Sequence, residues 1–127
     1  MILKDQEMLL VEFGQDVNGG AEEQASMYAT LIAEEAGEFL ETQAIGFDGG
    51  PEQEIKEAVD VIVVAAGFLI SKLGEQGARK AWNAVLESNL AKVAGGVTTR
   101  EDGKVLQNSE YKKVAKAKML EQLRALL

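Results

Sequence analysis

Apolar residues recur at helical spacing along almost the whole chain, and glycines break the pattern into segments. Residues from about 2 to 13 read as a first amphipathic helix that ends near Gly14. Asn18-Gly19-Gly20 is a turn. Residues from about 22 to 45 read as a long helix, with Met27, Leu31, Ile32, Phe39 and Leu40 near 3.6-residue spacing and Gly46 as its stop. Pro51, the only proline, suits the first turn of the next helix. That helix is expected to run to about Leu73 and to stop at Gly74. From Val61 to Ile70 it is apolar on every side, which predicts the central, buried helix. A further helix is expected over about 75–92, with Trp82, Val85 and Leu86 turned inward. Asp102-Gly103 sits between β-favouring residues and predicts a small hairpin or extended loop near 97–106, after Gly95-Gly96. A last helix, basic along 112–118, is expected over about 109–126. The expected fold is therefore all-α. It is a helical bundle of four to five helices with an antiparallel core pair, in a single domain over 1–127.

Composition narrows the chemistry. The chain has no cysteine and no histidine, so thiolate sites, disulfides and imidazole bases are absent. Any metal site must be built from oxygen, which selects magnesium, manganese or calcium. The N-terminus mixes Lys4, Asp5 and Glu7 among its apolar residues, unlike a signal peptide. The apolar run 61–70 is shorter than the roughly 20 residues a bilayer span needs. A cytoplasmic protein without a membrane partner is the expectation. Net charge is −8, unevenly spread: residues 1–60 hold 15 acids and 2 bases, residues 61–127 hold 6 acids and 11 bases. The total disfavours nucleic acid as a partner. An acidic half that holds metal and a basic half that holds phosphate would suit a nucleotide.

The acids are placed as that chemistry requires. Glu35 and Glu38 lie three apart on one helix, Glu57 and Asp60 three apart on the next, so each pair projects from one side. Asp60 opens the apolar run, and its helix has no basic residue after Lys56 until Lys72, so the expected counter-charge is a metal ion. Packed antiparallel, the two helices would bring four carboxylates together, and divalent ions would relieve their repulsion. Glu34 sits one turn behind Glu38, as a further ligand or a base. Without histidine, Glu34 or Glu38 is the candidate to accept a proton.

The arrangement Glu34-Glu35-x-x-Glu38 … Glu57-x-x-Asp60 resembles the MazG-like branch of the all-α nucleoside triphosphate pyrophosphohydrolases. Relatives of that branch include phosphoribosyl-ATP pyrophosphohydrolase and the dimeric dUTPases. The likeness extends through Leu31–Glu38, Glu87–Lys92, Asp102–Val105 and Tyr111-Lys112, about residues 10–113, and leaves the basic tail without a counterpart. It implies magnesium (or manganese) on Glu35, Glu38, Glu57 and Asp60. It also implies cleavage of a nucleoside triphosphate between the α and β phosphates, with Asn89, Lys92, Lys104 and Tyr111 contacting the nucleotide. It implies a homodimer or dimer of dimers as well. No early residue beyond Phe13 and Gln15 is available to read the base. Two other classes compete. A carboxylate-bridged di-iron bundle normally needs Glu-x-x-His pairs, which this chain lacks. A non-enzymatic acidic adaptor would leave the acids solvated.

Overall fold

The computed structural model describes residues 1–93, 98–106 and 109–127. The described residues form α1 (Ile2–Glu12), α2 (Glu22–Glu41), α3 (Gly50–Lys92), β1 (Thr98–Thr99), β2 (Val105–Leu106) and α4 (Ser109–Arg124). The fold is all-α, as the periodicity predicts. The strands are a two-residue antiparallel ladder pairing Thr98 with Leu106 and Thr99 with Val105. Gly103 turns it at φ 88°, a conformation glycine adopts without strain. Gly95, Gly96 and Val97 lie outside the described residues. The chain divides into two compact units, Met1–Ala78 and Arg79–Leu127.

The first unit is organised by α2 and the first half of α3, which run antiparallel. The pairing can be followed rung by rung. Glu22 meets Lys72 in an ion pair at 2.8 Å, and Gln24 donates to Ser71 Oγ at 2.9 Å. Tyr28 lies on Gly67, where a Cβ would overlap its ring. Further along, Gln43 donates to Glu54 at 2.8 Å. Tyr28 joins Leu3 and Leu10 of α1 with Val64, Ala66, Ile70 and Ala78 of α3 in one core. α2 ends at Glu41, short of the expected 45, because its last turns tighten. The amides of Thr42, Gln43 and Ala44 each bond the carbonyl three residues back, and Thr42 Oγ1 donates to the Phe39 carbonyl.

Gly74 ends one helix and a second begins directly after it, as the sequence predicts, so α3 is two helices joined at a kink. The Gly74 φ of 72° and ψ of 171° leave the helical range. The carbonyls of Ser71 and Lys72, orphaned by the break, accept the amides of Ala21 and Gly20 at 2.9 and 3.0 Å. Gly19 passes so close that a Cβ there would stand 2.9 Å from the Leu73 carbonyl carbon.

Two burial expectations are corrected. The first half of α3 is not covered on every side: Ile55, Val59 and Ile62, at spacings of four and three, are about half exposed. In the second unit Trp82, Val85 and Leu86 face outward, and Ala81, Ala84 and Ser88 are buried instead. The cause is close helix packing. Ala84, Ser88 and Ala91 of α3 face Ala115 and Met119 of α4 around a small cavity, and bulky residues do not fit that side. Among the described residues, no helix is long and apolar enough to cross a membrane.

Candidate metal centre

The α2–α3 ladder decides which acids meet. Between the Tyr28–Gly67 rung and the Gln43–Glu54 rung, it places Glu35 opposite the turn that carries Glu57 and Asp60. One carboxylate oxygen from each of these three lies within 4.8 Å of the others. Glu57 is buried, with only 5% of its surface exposed, and Glu35 and Asp60 are partly buried. Three oxygen donors from two helices therefore converge at one point, as a cation site requires.

The oxygens are unequally satisfied. Glu57 Oε1 accepts from Gln53 Nε2 at 2.6 Å and lies 3.4 Å from Lys56 Nζ. Asp60 Oδ2 lies 2.7 Å from the same ammonium. Glu57 Oε2 and Glu35 Oε2 are buried and have no hydrogen-bond partner. A buried carboxylate oxygen without a partner costs about 1–3 kcal/mol or more, because the charge has lost its water. Burial holds the Glu35 carboxyl above its ordinary value of 4.5, and the adjoining Glu38, Asp60 and Glu57 carboxylates push it the same way. The Asp60 carboxylate in turn holds the Lys56 ammonium above its ordinary range.

Lys56 corrects the sequence argument. Asp60 does have a cation on its own helix, one turn back. The i,i+4 spacing of Lys56 and Asp60 was the available signal, as was that of Gln53 and Glu57. The lysine is well exposed and sits at the rim. It reaches Glu57 Oε1 and Asp60 Oδ2, and neither orphaned oxygen.

Glu38 approaches Glu35 closely enough to raise its pKa, but it is exposed and lies outside the group of three. Glu34 is exposed and also outside it. Asn89, Lys92, Lys104 and Tyr111 all belong to the second unit, whereas the carboxylate group lies wholly in the first. Asn89, Lys104 and Tyr111 are exposed and Lys92 is half-buried. The Lys104 amide donates to Asp102, which also pairs with Arg100. Comparison with protein-family models, curated proteins and solved structures finds no match.

Proposed function

We propose that this chain is a magnesium-dependent pyrophosphohydrolase of nucleoside triphosphates, with Glu35, Glu57 and Asp60 as metal ligands and Glu38 completing the set. The observation that carries the metal is the pair of buried, unpartnered oxygens, Glu35 Oε2 and Glu57 Oε2, beside Asp60. An all-oxygen donor set suits magnesium or manganese. The reaction rests on the resemblance of Glu34-Glu35-x-x-Glu38 and Glu57-x-x-Asp60 to the MazG-like enzymes.

A divalent ion held there supplies charge neutralisation for the triphosphate and acidifies bound water. The chain's own residues do the rest. Glu34 or Glu38, exposed beside the site, accepts the proton of the attacking water. By the same resemblance, Lys92, Lys104, Asn89 and Tyr111 are the candidates to contact the nucleotide, the lysines as point charges toward phosphate. The α–β phosphoanhydride breaks, leaving a nucleoside monophosphate and pyrophosphate. Housecleaning of the cytoplasmic nucleotide pool is the corresponding role. The half-exposed face of Ile55, Val59 and Ile62 pairs two copies into a homodimer or a dimer of dimers.

Isothermal titration with magnesium and a non-hydrolysable nucleotide, followed by product analysis, tests this reading. The expected result is metal-dependent heat and release of pyrophosphate. Stepwise release of orthophosphate, or turnover that survives chelation, overturns it. A second reading, a non-enzymatic acidic adaptor, is favoured by the Lys56 ion pairs with Glu57 and Asp60. It predicts no heat at all.

A further inference from the structure

The two units differ sharply in charge. Residues 1–78 carry 16 acids and 3 bases, and residues 79–127 carry 5 acids and 10 bases. Much of that contrast sits on two exposed helix faces. On α2, Glu23, Met27 and Glu34 are exposed, Met27 by 41%. On α4, Lys113, Leu120 and Arg124 are exposed, Leu120 by 37%. Among the described residues, none of Glu23, Glu34, Lys113 and Arg124 forms an ion pair.

The spacing on the two faces is the same, in reverse. Along α2 an acid, a methionine and an acid follow at intervals of four and seven residues. Along α4, read backwards from its end, a base, a leucine and a base follow at intervals of four and seven. At 3.6 residues per turn each set falls within about 40° of one helix face. At 1.5 Å per residue each set of charges spans roughly 16 Å. Laid antiparallel with Leu120 on Met27, Arg124 meets Glu23 and Lys113 meets Glu34. Glu41 extends the acidic side of α2, and Lys112 and Lys116 widen the basic side of α4.

We infer that α4 of one copy docks antiparallel on α2 of a second copy, through an apolar contact between Leu120 and Met27 flanked by the pairs Arg124–Glu23 and Lys113–Glu34. The two faces are complementary in charge and in spacing, and the occupant is a second copy of this chain. A polyanion such as nucleic acid would meet the basic face but be repelled by the acidic unit attached to it. Exposed ion pairs contribute little energy singly, and what they fix here is register. The contact engages Glu34, which leaves Glu38 as the proton acceptor in the proposed hydrolase, and it uses neither the Ile62 face nor Glu35, Glu57 or Asp60, so its failure leaves that reading standing.

The absence of native cysteine makes the test direct. Met27→Cys and Leu120→Cys are made in separate full-length chains with different tags, mixed, and mildly oxidised. The mixed disulfide is expected to form roughly tenfold faster than either like pair, and to slow at high salt, because screening weakens the charged register. Arg124→Glu on the Leu120→Cys chain is expected to slow it similarly, and Glu23→Arg on the Met27→Cys chain to restore it. Equal rates for mixed and like pairs, or no mixed disulfide between chains of normal helical content, would overturn the proposal. So would failure of the Glu23→Arg chain to restore it.

Discussion

Both units are built around α3, yet they place charge in opposite ways. In the first unit α3 faces α2 with Glu57 buried and Asp60 half-buried, and a third carboxylate comes to meet them. In the second, α3 and α4 meet around buried Ala84, Ser88 and Ala115, and the charged residues that line the same small cavity, Glu87 and Lys118, remain exposed. The second arrangement is what close helix packing selects when nothing but packing is at stake. The first is costly to packing, and a bound cation would offset that cost. Polar interiors of this kind are where a fold departs from its own local rules.

The largest expected effect comes from breaking the acidic side of that contrast. Asp60→Asn removes one donor and the partner of Lys56, and turnover is expected to fall at least about 100-fold, equivalent to roughly 2.7 kcal/mol on the barrier. Helical content should be kept, as circular dichroism would show. Wild-type-like turnover in this variant would return Asp60 to an ordinary ion pair with Lys56.

Packing in the first unit should be the next most sensitive. Gly67→Ala places a methyl inside the Tyr28 ring, and the tyrosine must move away from the Gln15 carboxamide its hydroxyl bonds. Overpacking of this kind costs about 1–3 kcal/mol, offset by up to about 1 kcal/mol of better helix propensity. Thermal denaturation should show a clear loss of stability, and an unchanged midpoint would mean the ring has room to slide.

The titration of Glu35 gives a smaller effect with a definite sign. Its folded pKa lies above the ordinary 4.5, so the folded metal-free protein holds this proton where the unfolded chain has released it. That stabilising contribution is complete below the ordinary value and is lost as pH rises through the raised one. Melting of the metal-free wild type against Glu35→Gln should therefore show the variant gaining relative stability as pH rises from 4.5 upward, with magnesium closing the gap. A pH-independent difference would mean the carboxylates do not sense one another.

The smallest effect tests the quiet unit. Ser88 Oγ is buried without a partner between α3 and α4. Ser88→Ala removes an unsatisfied hydroxyl from an alanine-lined site, and is expected to be neutral or stabilising by under about 1 kcal/mol. A marked destabilisation would show that a water in the adjoining cavity satisfies the hydroxyl.

Much of the first unit was legible in the sequence. Pro51 opening α3, Gly74 breaking it and the acid pairs at three-residue spacing are local signals, and local geometry fixed them. An antiparallel pair predicts four carboxylates at one point; three of them, Glu35, Glu57 and Asp60, meet, and Glu38 stays outside the group. What failed depended on partners that periodicity does not specify. Trp82, Val85 and Leu86 mark a stripe of large residues, but α4 approached the stripe of small ones. Ile62 belongs to the run expected to be buried, yet it is about half exposed. Lys56 has the right spacing to reach either Asp60 or solvent, and only the rotamer decides.

The two connections that flank α2 differ in what they can tolerate over evolutionary time. Residues 43–49 are exposed throughout and can gain or lose residues at little cost. Residues 14–21 have the same appearance in sequence, with three glycines, but the amides of Gly20 and Ala21 finish the first half of α3. An insertion there would uncap a helix that its own chain passes some fifty residues later. Among homologues, length variation should gather at 43–49 and be missing from 14–21.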